Sequence, residues 1–392
     1  MKTILSGMRP SGKLHIGHLF GVLENWRQLQ DSYRCFFEVA DWHALTTEYR
    51  NPQVIRENTL EMVKDWLASG IDPEKAVIFV QSRVPEHTEL HIVFSMLVSL
   101  SRLLRNPTFK EYVGELKAKE LRTSGQRVLD RLVEQTLDRI LAVLQQEQQE
   151  HLSPEEYRSL LRARLKETVA EGLNQLFQST EGEELSYGHL VNYGFLGYPV
   201  LQAADILLYK GEVVPVGEDQ VPHIELTREI ARRFNEYYRP VFPVPEPLLT
   251  RFPRVPGTDG KRMSKSRGNT LLISEKPEDL AQKVRRMITD PQKIRRGDPG
   301  RPEICPVFAL HQVFGTPDLE TLEADCRSGA LGCVDCKKKL LAQIQAHLAP
   351  IQEKRAQITD DQVVELLEEG SRKAREVARQ TMAEVHEALG LF

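Results

Sequence analysis

The chain opens on a glycine-rich segment that carries two histidines at helical spacing. The segment SGMRPSGKLHIGH covers residues 6–18, follows a short apolar run and precedes a helical pattern. Glycine lets the backbone approach a ligand closely, and the free N–H groups of a helix N-terminus favour phosphate. His15 and His18 lie on one helical face and can donate hydrogen bonds to phosphate oxygens. An isolated pair of this kind also fits a metal site or a helix start, but the strand–turn–helix context predicts nucleotide binding.

A second group of cations lies much later in the chain. Residues 261–266 read KRMSKS and are flanked by Gly257, Gly260 and Gly268. Three cations and two hydroxyls in six residues suit a pyrophosphate that is being expelled, because donors directed at developing charge stabilise a transition state most. Taken alone, the segment fits a solvated basic loop equally well.

One acidic residue lies in an otherwise apolar helical stretch. Tyr198, Gln202 and Asp205 are spaced by four and three residues, so they share one face of a helix. A carboxylate in such surroundings is costly unless it is paired, and an indole N–H, which donates without accepting, is a suitable partner. Such a site would reject phenylalanine by roughly 10⁴-fold to 10⁵-fold, because the carboxylate would be left buried and unpaired. The alternative is that Asp205 forms a salt bridge with a neighbouring helix.

Four of the five cysteines form a ligand-like series. Cys305, Cys326, Cys333 and Cys336 are separated by 20, 6 and 2 residues. Four thiolates can hold zinc tetrahedrally or bind a [4Fe-4S] cluster. Zinc sites usually show two close pairs, whereas only the last pair is close here, which favours the cluster; unliganded buried cysteines are a further alternative. Cys35 lies in a predicted strand and is expected in the core.

Positive charge is concentrated near these cysteines, although the whole chain has a formal net charge of −4. Basic clusters neutralise phosphates and give salt-sensitive RNA binding, while the alternative is a solvated basic face. The cations are Lys283, Arg285, Arg286, Lys293, Arg295, Arg296, Arg301, Lys337, Lys338 and Lys339.

Length and composition are those of an ordinary globular protein. At roughly 150 residues per domain, 392 residues suggest two or three domains. A content of 41% hydrophobic and 28% charged residues excludes wholesale disorder, collagen and coiled-coil rods. The N-terminal apolar run is too short for a signal peptide, and no stretch reaches about 18 apolar residues. We therefore expect a cytoplasmic protein with no membrane partner.

The elements that must position these residues alternate between strand and helix. The runs TILS (3–6), CFFEVA (35–40) and AVIFV (76–80) are separated by helical patterns over 16–30 and 53–69. This alternation predicts an α/β catalytic domain, a Rossmann-like parallel sheet whose ligands bind at the carboxyl ends of the strands. The pattern resumes at 198–235 with an apolar helix, the strand VVPV and a further helix.

Two segments are helical throughout. Residues 115–186 repeat leucines at helical spacing, which predicts a helical hairpin inserted into the α/β domain, either a solvated appendage or an element that binds RNA or a partner. Residues from about 276 onward also look helical. The predicted domains are a first catalytic part (1–114), the hairpin insertion (115–186), a second catalytic part (187–275) and a C-terminal α-helical domain (276–392).

HIGH at 15–18, followed by RMSKS at 262–266, resembles the paired ATP-binding motifs of class I aminoacyl-tRNA synthetases. More narrowly, the chain resembles the bacterial-type tryptophanyl-tRNA synthetase family, and its cysteine spacing resembles that of the family's iron–sulfur subset, with a slightly shorter first gap. The resemblance covers nearly the whole chain except 115–186. The segments that carry it are SGMRPSGKLHIGH, DWHALT (41–46), GYPVLQAADILLY (197–209), VPVGEDQVPHIELTREIARRFN (214–235) and RMSKS.

The resemblance implies a homodimer that makes tryptophanyl-adenylate from tryptophan and ATP with Mg²⁺, and then esterifies tRNA-Trp. It assigns catalytic roles to His15, His18 and Lys265, and an anticodon-binding role to residues 276–392. The implied ATP contacts are Arg9, Pro10, Ser11, Gly17, His18, Gly217, Glu218, Asp219, Val255, Arg262, Met263, Ser264, Lys265 and Ser266. The implied tryptophan contacts are Gly7, His43, Tyr198, Gln202, Asp205 and Gln220.

Two other functions fit parts of this pattern. The sister tyrosyl-tRNA synthetases share both ATP motifs and a comparable acidic residue, but PVGEDQ and the form of the N-terminal motif favour tryptophan. A non-catalytic iron–sulfur paralogue that binds RNA would not be expected to keep both motifs intact. We further hypothesise that the cysteine-bound group, [4Fe-4S] or alternatively Zn²⁺, is structural and orders the surface that reads the anticodon.

Overall fold

A computed structural model describes residues 1–107, 109–111, 113–114, 191–249 and 255–391, with scattered positions between 134 and 166. Most of the predicted hairpin at 115–186 therefore lies outside the described residues. The chain divides into two compact units, one formed by residues 1–99 and 197–392 and the other by residues 100–196.

The larger unit is built on a parallel sheet of five strands in the order β3-β2-β1-β4-β5. β-Branched and aromatic runs form these strands because helices cover both faces of the sheet, which suits continuous apolar sequence. The predicted α/β class with a parallel sheet is confirmed. The strands are β1 (Thr3–Met8), β2 (Arg34–Val39), β3 (Ala76–Val80), β4 (Val213–Val216) and β5 (Glu246–Leu249).

Helices make up most of the described chain outside the sheet. The predicted first helix is interrupted by a π-helical segment at Leu19–Leu23. The described α-helices are α1 (Ile16–His18), α2 (Glu24–Leu29), α3 (Asp41–Glu48), α4 (Gln53–Ala68), α5 (Glu86–Ser95), α6 (Leu100–Leu104), α7 (Tyr193–Leu208), α8 (Val221–Tyr237), α9 (Pro277–Arg286), α10 (Pro306–Val313), α11 (Leu319–Ser328), α12 (Cys333–Ala356) and α13 (Asp360–Leu389).

The core joins the sheet to the helices that follow it. Trp26 stacks on Phe37 with ring centroids 4.3 Å apart and meets Trp66 edge-on at 4.9 Å. All three rings are buried, as is Cys35, so the prediction that Cys35 belongs to the core is confirmed. Burying an aromatic side chain of this kind stabilises the fold by roughly 1.5–3 kcal/mol.

The C-terminal helix α13 covers the edge strand β3. A Cβ at Gly370 would lie 1.8 Å from the carbonyl oxygen of Ile78, so only glycine permits this approach. At the next residue the hydroxyl of Ser371 accepts a hydrogen bond from the N–H of Val80 at 3.2 Å. The helix thus satisfies part of an edge that would otherwise present unpaired backbone groups.

Strand β5 was not predicted. Its sequence, EPLL, follows a proline-rich passage, and Pro247 pairs with Val214 in the sheet. Proline is tolerated there because β5 lies at the edge, where a missing N–H breaks no further ladder. Among the described helices there is none of the length and apolar character that a membrane crossing requires.

Candidate active site

The predicted site residues follow the carboxyl ends of three neighbouring strands. β1 ends at Met8 before the glycine-rich turn, β2 ends at Val39 before His43, and β4 ends at Val216 before Gly217. Parallel strands end at a common edge, so these segments converge there.

The two histidines of the turn are held by backbone hydrogen bonds. His15 caps α1, and its Nδ1 accepts from the N–H of Gly17 at 3.1 Å, while Nδ1 of His18 accepts from the N–H of His15 at 3.2 Å. Burial, followed by the nearby charge of Lys265, lowers the pKa of His15 to about 4. Burial, and then His15 and Lys265, hold the pKa of His18 well below its usual value. Both rings are therefore neutral at pH 7 with the proton on Nε2, where each can donate to a phosphate.

The RMSKS segment packs directly against this turn. Nζ of Lys265 donates to the carbonyl oxygen of Ser11 at 3.1 Å, and burial lowers the pKa of Lys265 to about 8. The loop is shaped by Asn269, whose side chain accepts from the N–H of Ser264 at 2.8 Å and donates to Asp259 at 2.6 Å. The two predicted phosphate-binding segments, far apart in the chain, thus meet in space.

The structure also describes most of the other predicted ATP contacts. Met263 and Val255 are buried, Arg262 is exposed, and the guanidinium of Arg9 donates to the hydroxyl of Thr47. Gly217 precedes a short 3₁₀ segment, Glu218–Gln220. The side chains of Asp219 and Ser266 lie outside the described residues. Pro10, Ser11 and Gly17 belong to the turn itself.

Asp205 is buried at the end of the apolar helix α7. Its Oδ1 accepts from Gln81 Nε2 at 2.7 Å and lies 2.6 Å from Nδ1 of His87, and its Oδ2 lies 2.8 Å from Nε2 of His43. Burial raises the pKa of Asp205, but the hydrogen bonds and charges of His43 and His87 outweigh burial and leave it below its usual value. A carboxylate offers about four acceptor positions, and the described residues occupy three of them, so Oδ2 keeps one for a further donor.

Among the other predicted partners of tryptophan, His43 contacts Asp205 directly. The ring of Tyr198 faces that of His43 at 6.1 Å, and its hydroxyl lies 3.0 Å from Nε2 of His223. Gln202 is half-buried one turn before Asp205, and Gln220 ends the short segment after β4. Gly7 packs on the side chain of Glu38, with its virtual Cβ 3.4 Å from the Cβ of Glu38.

Sequence reasoning missed three polar residues of this pocket. Gln81 and His87 touch Asp205, and His87 also lies 2.8 Å from the hydroxyl of Tyr209. The third, Glu38, is buried, and neither of its carboxyl oxygens has a hydrogen-bond partner among the described residues. Burial, then the charges of Asp205 and Asp41, raise the pKa of Glu38 well above its usual value. Its one sequence signal was an acid inside the strand CFFEVA.

The four predicted cysteines are close to one another in the C-terminal region. Cys305 precedes α10, and Cys333 and Cys336 open α12, with Cys305 and Cys336 buried. Burial, followed by the charges of the other three thiols, raises the pKa of Cys336 to about 12, as expected for neighbours.

Part of the predicted basic patch is committed to internal contacts. Arg301 forms a two-armed ion pair with Asp290 at 2.6 and 3.0 Å. Lys293 is buried and donates to the carbonyl of Cys326, and Lys337 donates to the carbonyls of Arg285 and Met287. Lys283 pairs with Glu275 and Lys338 with Asp335. Arg301, Lys293 and Lys337 thus stabilise the cysteine region, and the remaining candidates for phosphate contact are Arg285, Arg286, Arg295, Arg296 and Lys339.

Comparison with known proteins agrees with this geometry. The family described as class I tRNA synthetases (W and Y) matches residues 1–126 and 126–349. A tryptophan–tRNA ligase of Aquifex aeolicus is 48% identical over 395 aligned residues, covering 99% of both chains. One from Thermotoga maritima is 47% identical, also over 99% of both chains.

A solved structure shows the same architecture. The tryptophanyl-tRNA synthetase of Campylobacter jejuni, crystallised with ADP and tryptophan, superposes with a TM-score of 0.74 at 27% identity, over 99% of this chain and 100% of that one. The chain belongs to the class I tRNA synthetases, in the branch of the tryptophan–tRNA ligases.

Proposed function

We propose that this site joins tryptophan to ATP and then passes the amino acid to tRNA-Trp. The carboxylate oxygen of tryptophan attacks the α-phosphorus of ATP, the bond to the bridging oxygen breaks, and pyrophosphate leaves. A hydroxyl of the terminal adenosine then attacks the carbonyl carbon, and AMP leaves. The observation that carries the proposal is the contact of Lys265 with the glycine-rich turn, because it brings together two phosphate-binding segments.

In this scheme the protein binds and orients rather than attacks. Neutral His15 and His18 donate from Nε2 to phosphate oxygens, and Lys265 stabilises the charge that develops on the leaving pyrophosphate. Arg9, Arg262 and Ser264 are the residues proposed to add donors. Mg²⁺, when bound, neutralises phosphate charge in the same step.

Recognition of tryptophan rests on Asp205. The remaining acceptor position on Oδ2 suits one N–H donor, and the surrounding helix is apolar, as an indole ring requires. His43, His87 and Gln81 hold the carboxylate in place, so that it does not rotate to meet a solvent molecule. Tyr198 and Gln220 are the proposed partners of the amino and carboxylate groups of the substrate, with Gly7 and Gln202 as packing neighbours.

ATP–pyrophosphate exchange tests this proposal. Exchange that depends on tryptophan, and not on tyrosine or phenylalanine, is the expected result, followed by charging of tRNA-Trp. Exchange with tyrosine instead would assign the site to the sister enzyme. If none of the amino acids supports exchange, the proposal is rejected.

We further propose that the four cysteines hold a [4Fe-4S] cluster in a homodimeric enzyme. The sequence spacing of the cysteines, in which only the last pair is close, supports a polynuclear group over a single zinc ion. The pairing of Arg301, Lys293 and Lys337 with nearby backbone and Asp290 supports a rigid, structural role. When bound, the cluster would cross-link three segments of chain and support the cations that contact the anticodon.

Iron and sulfide analysis of anaerobically purified protein tests the cluster. About four irons and four sulfides per chain are expected for a [4Fe-4S] group, and zinc alone would reject it. Cys336→Ser should weaken tRNA binding while leaving tryptophan-dependent exchange nearly intact; unchanged tRNA affinity would reject the structural role. Sedimentation of the same sample would show whether the protein is a dimer.

A further inference from the structure

A buried ion pair joins the C-terminal helical region to the glycine-rich turn. Asp65 lies on α4 and its side chain is fully buried. Its Oδ1 accepts from Nε of Arg355 on α12 at 2.7 Å. Its Oδ2 lies at 3.4 Å from the backbone N–H of Leu14, the residue directly before His15. The carboxylate therefore connects α12 to Leu14, the residue that precedes the histidine motif.

The same carboxylate acts on the second phosphate-binding segment. Burial lowers the pKa of Lys265, and the negative charge of Asp65 is the main influence that opposes this shift. Lys265 in turn contacts the turn at Ser11. Asp65 is thus near both phosphate-binding segments, the glycine-rich turn and RMSKS, but does not line the space between them.

Helix α12 holds the opposite side of the turn as well. Gln352, one turn before Arg355, donates to the carbonyl oxygens of Ile273 at 2.7 Å and Glu275 at 3.1 Å. Ile273 donates its N–H to the carbonyl of Leu14 at 3.0 Å. The end of α12 therefore grips Leu14 from two directions, through Asp65 and through the chain that follows RMSKS.

Taking the two charges out of water costs free energy, so a contact that served only to join two helices would not need an ion pair. Replacing a buried ion pair by apolar residues of similar volume is often neutral or stabilising, whereas removing one partner is strongly destabilising. Arg355 is held further by Glu61, whose carboxylate accepts from its second arm at 2.7 Å. A buried carboxylate directed at the backbone of a binding turn fixes the position of that turn, which an apolar contact would not do.

We infer that Asp65 and Arg355 are positioning residues for ATP, which hold the glycine-rich turn and Lys265 at the spacing that a triphosphate requires. This inference rests on the proposed ATP site. It goes beyond that site because neither residue touches substrate, and because it makes a residue of the C-terminal helical region part of the machinery of amino-acid activation.

A matched set of variants tests the pair. Asp65→Leu with Arg355→Met removes both charges at similar volume and should leave the melting temperature close to that of the wild type. We expect the KM for ATP in tryptophan-dependent exchange to rise about tenfold, the equivalent of one lost hydrogen bond, while the KM for tryptophan stays within twofold. Arg355→Lys keeps the charge but loses the fork, and should raise the KM for ATP by only about two- to fourfold.

Lys64→Met is the control. Lys64 neighbours Asp65, pairs with Asp360 at 2.5 Å and lies 4.0 Å from Glu61. Its loss removes an ion pair at the same junction but leaves the contacts of Asp65 with Arg355 and Leu14 in place, so both KM values should stay at the wild-type level.

The outcomes separate this inference from the proposed function. If the double variant folds and keeps the wild-type KM for ATP, the inference is overturned. An equal rise in the KM values for ATP and tryptophan also overturns it. If the double variant does not fold, an unchanged KM for ATP in Arg355→Lys overturns it instead. Calorimetric titration of ATP with Mg²⁺ provides a readout that needs no amino acid. Absence of tryptophan-dependent exchange in the wild type would reject the proposed function, while weakened ATP binding in the double variant would still support the pair.

Discussion

The two halves of the site are built on opposite principles. The nucleotide half consists of neutral histidines, backbone groups and a partly exposed loop with the cation Lys265. The amino-acid half is a closed pocket in which Asp205, Glu38, His43 and His87 are all buried. The nucleotide half can adapt to the charge that develops on pyrophosphate and leaves with it. The amino-acid half must instead hold the fixed charge of Asp205 against one N–H donor. The difference predicts where substitutions will act and how severely.

Removal of the fixed charge should have the largest effect. Asp205→Ala deletes the acceptor and leaves the donors of His43, His87 and Gln81 unmatched. We expect kcat/KM for tryptophan to fall by about 10³-fold or more, since sites built around one hydrogen bond discriminate on that scale, with the KM for ATP nearly unchanged. Steady-state exchange measures both. A loss shared equally between the substrates would contradict the separation of the two halves.

The same contrast explains what the sequence could predict. The glycine-rich turn and RMSKS are local patterns with a local meaning, so both were identified before any fold was known. The strands AVIFV and VVPV were found at their observed bounds because their apolar runs are continuous. The sequence does not predict strand β5, because its proline argues against a strand, and only its edge position removes that objection.

The amino-acid half was harder to predict because its partners come from different elements. Asp205 stood out as an acid in an apolar helix, but Gln81 and His87 carry no spacing that ties them to residue 205. The sequence groups Glu38 with its apolar neighbours in a predicted strand. Asp65 likewise resembles any polar residue on an amphipathic helix. Only tertiary contacts reveal these residues, and no local pattern encodes such contacts.

Substitution of the loop cation should have a smaller effect than loss of Asp205. Lys265→Met removes a donor that acts on charge developing in the transition state, and one such donor is worth about 10²-fold to 10³-fold in rate. We expect kcat for exchange to fall by about 10²-fold with the KM for tryptophan unchanged. Rapid-quench measurement of adenylate formation separates this step from product release. A rise in the KM for tryptophan instead would show that the loop serves the amino-acid half too.

The pH profile should report the nucleotide half alone. The pKa of Lys265 is lowered to about 8 by burial, so the free enzyme loses this charge as pH rises through that value. We expect kcat/KM for ATP to fall by up to about tenfold per pH unit above pH 8. Neutral His15, with a pKa of about 4, adds no acidic limb between pH 5 and 8.

Lys265→Arg is the control for this profile, because arginine stays charged throughout the range. Its activity should be lower at pH 7 but flat up to pH 9. A profile that falls equally in this variant would assign the basic limb to another group.

The smallest effect on catalysis is expected at Glu38, where the pocket holds an acid that no described residue pairs with. Its folded-state pKa is raised by burial and by Asp205, so the stability it contributes is fully present below its unfolded pKa and is lost as pH rises toward the folded pKa. Glu38→Gln removes this dependence, and the variant should gain stability relative to the wild type between pH 5 and 7, by on the order of 1–3 kcal/mol at pH 7.

The activity with tryptophan should change by less than about threefold, since the neutral amide resembles the protonated acid in shape and polarity. Urea unfolding at both pH values measures the first effect and exchange the second. A variant that is less stable at pH 7 than the wild type would mean that Glu38 is ionised and paired in the folded protein, and the amino-acid half would then hold two fixed charges instead of one.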